Sequence, residues 1–129
     1  MTKRIMVVDD EPDILLSLKI VLERQNYDVV TVTNGVECLR EIEKGFRGII
    51  LMDLMMPFMD GWTTIKEIVK RGYMDDMAIA IITGKGTKDP QNMNLVGPYI
   101  FDYLPKPIDI NLLLSSIERA NRYFCSKNN

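Results

Sequence analysis

The chain has 129 residues, 47% of them hydrophobic, and its 16 basic and 18 acidic residues give a formal charge of −2. A chain of this length forms one domain with a single core. Because the two signs of charge are interspersed and no apolar run approaches membrane-spanning length, we expect neither nucleic acid nor a membrane as a direct partner.

Short apolar segments alternate with amphipathic segments along the chain, which is typical of repeated βαβ units around a parallel sheet. Right-handed crossovers would make this an α/β three-layer sandwich with five parallel strands. We assign residues 1–125 to this domain and residues 126–129 to a disordered tail, and we expect no output domain. The predicted strands cover residues 4–9, 28–32, 48–53, 78–83 and 99–104.

The first predicted helix begins at Pro12, a favoured first-turn residue, and ends near residue 24. Asp10 or Glu11 is available to accept hydrogen bonds from the free backbone N–H groups at its start, and Asp109 is predicted to cap the last helix. The residues predicted to face the core are Ile14, Leu18, Val21 and Leu22 in the first helix and Ile110, Leu113, Leu114, Ile117 and Phe124 in the last.

Asp53 closes the apolar run of residues 48–52 and is followed by a segment rich in turn residues. Such a run indicates a central strand that is covered on both faces. Ligand sites of open α/β sheets lie at the carboxyl ends of their strands, so Asp53 is a candidate functional residue.

Asp9 ends the first predicted strand, and Asp10 comes directly after it. Adjacent carboxylates near a third one repel unless a cation shares the site, and oxygen ligands without histidine or thiolate suit magnesium. The alternative is that Asp10 caps the first helix and Asp9 is a solvated surface acid.

Thr83 ends the fourth predicted strand, and Lys106 stands between two prolines after the fifth. A hydroxyl at the first position could donate to an anion, whereas a lone threonine there is more often a turn former. The prolines stiffen the loop that carries the lysine, although a lysine could simply keep a strand end soluble.

Taken together, these carboxylates, the hydroxyl and the lysine lie at or just beyond the ends of different strands, and they predict a phosphoryl-transfer site. Asp53 would be the nucleophile, while magnesium and Lys106 would neutralise the phosphoryl oxygens.

The chain resembles the receiver domains of two-component response regulators, of the single-domain chemotaxis type. The resemblance covers nearly the whole chain and rests on the motifs at residues 7–12, 52–61, 82–84 and 103–107. It implies the flavodoxin-like fold with strand order 2-1-3-4-5 and five helices.

By this resemblance, Asp53 is the phosphoacceptor for a histidine kinase or histidine phosphotransfer protein. The resemblance implies that Asp10, Asp53 and the backbone carbonyl of Met55 bind magnesium and that Asp9 positions a bound water. It implies that Thr83 contacts the phosphoryl group.

The resemblance also implies that Lys106 contacts the phosphoryl group and that Tyr103 is an aromatic switch that turns inward when the threonine is drawn toward phosphate. The Lys106–Pro107 bond matches one that is usually cis. Family members signal through the face of the fourth helix, fifth strand and fifth helix, as monomers or phosphorylation-dependent dimers, and here the downstream target is unknown.

Two departures from the family pattern affect the expected properties. Residues 85–98 are rich in helix breakers, so the fourth helix is predicted to be short or irregular. Met55 and Lys85 occupy positions where family members tune access of the hydrolytic water, which predicts an altered phosphate lifetime without giving its direction.

Leu16 and Ile20 fall on the face of the first helix opposite the core and are four residues apart. Because family receivers dock this helix against the donor, we predict that they contact the kinase or phosphotransfer protein. Ordinary exposed aliphatic residues are the alternative.

The absence of histidine excludes a phosphohistidine donor and the usual general base of hydrolases. We do not expect an enzyme that turns over a substrate. The chain would only phosphorylate itself from a donor and dephosphorylate itself. The remaining alternative is an interaction module of the same fold that works without phosphorylation.

Overall fold

A computed structural model describes residues 4–84 and 89–127 of the chain, with side chains through residue 124. The strands are β1 (Arg4–Val8), β2 (Asp28–Val32), β3 (Gly48–Asp53), β4 (Met77–Thr83) and β5 (Ile100–Pro105). The helices are α1 (Pro12–Glu23), α2 (Gly35–Glu43), α3 (Gly61–Lys70), α4 (Pro90–Val96) and α5 (Ile110–Lys127), and a short 3-10 turn (Gly97–Tyr99) precedes β5.

All neighbouring strands pair in parallel, and their order in the sheet is β2-β1-β3-β4-β5. The predicted flavodoxin-like strand order is therefore confirmed. The register places Asp53 beside Ile82 and Thr83 beside Pro105. This register brings the carboxyl ends of the strands to one edge of the sheet.

Both faces of the sheet are covered, and β3 is buried along its whole length. Ile50 and Met52 pack into a core layer that includes residues of α2 and α3, whereas Ile49 and Leu51 pack into a layer that includes residues of α1 and α5. This alternation follows from the two-residue period of a strand. Asp53 thus extends from a strand that is held from both sides.

Most of the predicted core positions of α1 and α5 are confirmed. Ile110, however, is exposed at the first position of α5. Val21 is only half-buried, and Leu15 packs against the core layer on that side of the sheet. The buried predicted residues are Leu18, Leu22, Leu113, Ile117 and Phe124.

The fourth helix is short, as predicted, with 7 residues. It is opened by Asp89, whose side chain accepts a hydrogen bond from the backbone N–H of Asn92, and it ends before Gly97-Pro98. Residues 85–88 lie outside the described residues.

The last helix includes residues 126 and 127, which we had predicted to belong to the tail. Neither glycine nor proline interrupts the helix after residue 124, so the local sequence permits the longer helix. Residues 128 and 129 lie outside the described part of the chain.

Within the described part of the chain, no helix combines the length and the apolar character needed to cross a lipid bilayer.

Candidate functional site

The polar residues predicted from the sequence gather at the carboxyl edge of the sheet. Asp9 follows β1, Asp53 ends β3 and Lys106 follows β5. Oxygen atoms of Asp9, Asp10 and Asp53 all lie within 4.8 Å of one another. The fold therefore brings three carboxylates and one ammonium group together from separate parts of the chain.

Asp53 is buried, with 3% of its surface exposed. Its Oδ1 accepts a hydrogen bond of 3.1 Å from the backbone N–H of Met55, and its Oδ2 lies 3.6 Å from the Lys106 ammonium. Burial raises the pKa of Asp53 to about 6, and the charges of Asp9 and Asp10 act in the same direction, against the opposing effects of Met55 and Lys106. The carboxylate is thus mostly ionised at neutral pH but poorly solvated.

Asp9 is the fully buried member of the three clustered carboxylates. Its Oδ1 accepts a hydrogen bond of 2.8 Å from the backbone N–H of Glu11, and its Oδ2 lies 3.1 Å from the Lys106 ammonium. Burial raises the pKa of Asp9, and these two partners do not cancel the effect. The alternative that Asp9 is a solvated surface acid is wrong, because the end of β1 lies inside the fold.

Lys106 is held by its backbone and paired through its side chain. Its N–H donates a hydrogen bond of 2.7 Å to the carbonyl of Thr83, and the peptide bond to Pro107 is cis, as the resemblance implied. Burial lowers the pKa of the ammonium, but the hydrogen bond to Glu11 and the pairing with Asp9 outweigh it and raise that pKa above its usual value. Lys106 therefore carries a permanent positive charge beside Asp53.

The acidic residues fit a divalent metal ion by their chemistry. They supply only oxygen ligands, they are close enough to share one ion, and such an ion would relieve the repulsion among the three carboxylates. Met55 lies beside Asp53, to which its backbone N–H donates a hydrogen bond, and its side chain is exposed. Lys85, the second position at which we expect the phosphate lifetime to be tuned, lies outside the described residues.

Thr83 and Tyr103 line one cavity of about 530 Å³ between the sheet and α4. Tyr103 is 39% exposed in this structure, whereas Trp62, the only tryptophan of the sequence, is buried in the cavity wall. The other lining residues are Leu54, Pro90, Met93 and Asn94. There is thus free apolar space beside the ring of Tyr103.

Leu16 and Ile20 are both exposed on α1, at 61% and 43%. The predicted ridge of apolar side chains on this helix is therefore present at the surface.

Two residues near the site have roles that the sequence did not predict. Glu11 occupies the N-cap position of α1, but its side chain makes no capping bond. Its carboxylate contacts Lys106 instead. Gly61 begins α3 directly against the end of β3, where a Cβ atom would lie 2.5 Å from the Asp53 carbonyl oxygen. The run of three acidic residues at 9–11 was the available signal for Glu11.

Asp53→Asn is expected to stabilise the metal-free protein by about 1–3 kcal/mol at pH 8. The pKa of Asp53 rises from 3.8 to about 6 on folding, so the folded state binds more protons than the unfolded state between these values. The ionised carboxylate therefore lowers stability as the pH rises through this window, and the full cost is present above pH 6.

Urea unfolding at pH 4 and pH 8 in the presence of a chelator measures this effect. The exposed Asp13→Asn serves as the control, because it removes one carboxylate from the same end of the domain. An equal gain for Asp53→Asn at both pH values would contradict the prediction.

A family model described as the response regulator receiver domain matches residues 5–118 of the chain. The chain belongs to this family. The receiver has the fold of its solved relatives, including a CheY-like response regulator receiver domain protein from Methanospirillum hungatei JF-1, with a TM-score of 0.82, 31% identity and 98% of each chain covered.

The receiver also resembles curated proteins of different lengths. It is 33% identical over 125 residues to the alkaline phosphatase synthesis transcriptional regulatory protein PhoP of Bacillus subtilis, covering 94% of this chain and 50% of PhoP. It is 29% identical over 116 residues to the protein PilH of Pseudomonas aeruginosa, covering 88% of this chain and 93% of PilH. The receiver thus spans about half the length of PhoP.

Proposed function

We propose that this receiver takes a phosphoryl group from a histidine kinase or histidine phosphotransfer protein onto Asp53. One observation carries the proposal: a buried aspartate at the end of the central strand lies 3.6 Å from a lysine ammonium and within 4.8 Å of two further carboxylates. This arrangement places a nucleophile beside the positive charge that a phosphoryl group requires.

In the transfer, an oxygen of the ionised Asp53 attacks the phosphorus atom. A new P–O bond forms, the P–N bond to the donor histidine breaks, and its electron pair stays on the imidazole nitrogen. Lys106 moves onto the phosphoryl oxygens and balances their charge, while Thr83 donates its hydroxyl to one of them.

Magnesium, held by Asp9, Asp10, Asp53 and the carbonyl of Met55, would supply further positive charge against the phosphoryl oxygens, with Asp9 acting through a bound water. The product stays attached to the chain until it is hydrolysed. The receiver is therefore a phosphoacceptor that loses its phosphate by self-dephosphorylation, without catalytic turnover of a substrate.

The switch that we propose uses the cavity beside Thr83. When Thr83 is drawn toward the phosphoryl group, the ring of Tyr103 turns from the surface into the cavity and packs near Trp62. This changes the surface formed by α4, β5 and α5, to which a downstream target would bind or through which phosphorylated copies would dimerise.

Phosphorylation is expected to change the fluorescence of Trp62, because Tyr103 would enter the cavity that Trp62 lines. Tyr103→Ala should abolish most of this change while leaving the gain of phosphate intact. The exposed Tyr99→Ala is the matched control, and it should preserve the change. An unaltered fluorescence change in Tyr103→Ala would contradict this switch.

The exposed ridge of Leu16 and Ile20 is proposed to contact the donor protein. Replacing both with glutamate is expected to reduce transfer from the kinase by tenfold or more, on the order of 1.4 kcal/mol, and to leave labelling by acetyl phosphate unchanged. Leu95 and Leu112, which are also exposed, provide a matched double variant on other helices. Loss of both reactions, or of neither, would contradict the role of the ridge.

The deciding experiment is the intact mass of the receiver after incubation with acetyl phosphate and magnesium. We expect a gain of one phosphoryl group in the wild type and none in Asp53→Asn or without magnesium. A wild type that gains no phosphate under any condition would favour an interaction module that works without phosphorylation.

A further inference from the structure

Glu11 contacts the lysine of the site from a distant part of the sequence. Its Oε1 accepts a hydrogen bond of 2.9 Å from the Lys106 ammonium, across 95 positions of the chain. The same ammonium lies 3.1 Å from Asp9 and 3.6 Å from Asp53. Of these three carboxylates, Glu11 is therefore the nearest to Lys106, and the proposed phosphoacceptor is the farthest.

The backbone of Glu11 is held in place while its side chain is available for this contact. The N–H of Glu11 donates to Asp9, and the residue occupies the position before α1 without making a side-chain capping bond. The side chain of Glu11 is 58% exposed, whereas Asp9 and Asp53 are buried. Glu11 thus draws the ammonium toward the solvent side of the site.

The position of the Lys106 ammonium is decided by its side chain alone. The backbone of Lys106 is bound to the carbonyl of Thr83, and the four-carbon stem of a lysine rotates easily. The side chain is 18% exposed, so it has room to move at the mouth of the site. Removing the nearest partner, Glu11, would therefore shift the ammonium toward the remaining carboxylates.

We propose that Glu11 is a positioning residue that holds the Lys106 ammonium away from Asp53 until a phosphoryl group displaces it. This inference rests on the proposed phosphoacceptor function. With acetyl phosphate as donor, Asp53 forms the new P–O bond, the bond from phosphorus to the acetyl oxygen breaks, and acetate leaves with the electron pair. The incoming phosphoryl oxygens must take Lys106 from Glu11, so this contact slows the reaction.

Glu11→Gln is expected to speed phosphorylation by acetyl phosphate about two- to fivefold, since partly exposed ion pairs are individually weak. Glu11→Asp keeps the charge but shortens the side chain by one methylene, so it should also lose the contact and speed the reaction. Asp13→Asn removes one exposed charge from the first turn of α1 and should leave the rate unchanged.

These variants separate positioning from a general effect of charge. If the negative charge of Glu11 merely repelled the anionic donor, Glu11→Asp would react at the wild-type rate and Asp13→Asn would speed the reaction. A wild-type rate in Glu11→Asp, or a faster rate in Asp13→Asn, would overturn the positioning role. Urea unfolding of each variant shows whether the fold is retained.

A crystal structure of metal-free Glu11→Gln gives a readout that is independent of the reaction. The distance from the Lys106 ammonium to Asp53 should fall below 3.6 Å. An unchanged ammonium position would overturn the inference. A wild type that accepts no phosphate would overturn the proposed function as well, whereas equal rates in the wild type and both Glu11 variants would overturn only the role of Glu11.

Discussion

Lys106→Met is expected to slow phosphorylation of Asp53 by about a hundredfold or more. The variant keeps an apolar stem of similar length but removes the ammonium that lies 3.6 Å from Asp53 and 3.1 Å from Asp9. That charge would otherwise stabilise the phosphoryl oxygens in a buried site, where electrostatic effects are stronger than in water.

The same substitution is expected to lower stability at pH 8 by about 1–3 kcal/mol, because Asp9 and Asp53 lose their partner while buried. The loss should be smaller at pH 5, since the pKa of Asp53 is already about 6 and would rise further without the lysine. Urea unfolding at the two pH values measures this difference.

The rate of phosphorylation by acetyl phosphate, followed by intact mass, tests the larger effect. Lys70→Met is the matched control, because this lysine is exposed in the last turn of α3. A rate in Lys106→Met within a few-fold of the wild type would show that the ammonium does not act on the phosphoryl group.

Gly61→Ala is expected to destabilise the receiver by about 3 kcal/mol. An added Cβ would lie 2.5 Å from the carbonyl oxygen of Asp53 and 2.8 Å from the Cα atom of Leu54, and both are backbone atoms. The N–H of Gly61 also donates to the carbonyl of Leu54 at 3.0 Å. Relief of the clash would therefore have to move α3 away from the end of β3.

Phosphorylation should slow in the same variant, because the displaced backbone is that of the phosphoacceptor itself. Gly97→Ala is the control, since its added Cβ would meet no atom of the described residues within 4 Å. Helix propensity alone favours alanine over glycine by about 1 kcal/mol, so a stabilised Gly61→Ala would show that the local preference outweighs the packing.

Much of the fold followed from local patterns in the sequence. The bounds of β2 and β3 agree with those predicted, because the apolar runs end at turn residues, and the remaining strands differ by one residue at their ends. The prolines and glycines of residues 85–98 likewise predicted a short fourth helix. The order of the strands came from the resemblance, since hydrophobic periodicity does not say which strands are neighbours.

The residues that form the site were also predictable, although their burial, pKa shifts and contacts were not. Asp9, Asp53 and Lys106 were identified because each stands at or beyond the end of a predicted strand, and the parallel sheet brings such positions to one edge. The exposure of Ile110 was not predicted, because helical spacing does not show where the sheet stops covering a helix.

By itself, the sequence determined the α/β class, the edge of the sheet that carries the polar residues and the candidate phosphoacceptor, because these depend on patterns within a few residues. Only the tertiary structure decided the raised pKa of Asp53, the contact of Glu11 with Lys106 and the close approach of Gly61 to β3. These depend on desolvation and on contacts between distant parts of the chain, which exist only after the two core layers have packed against the sheet.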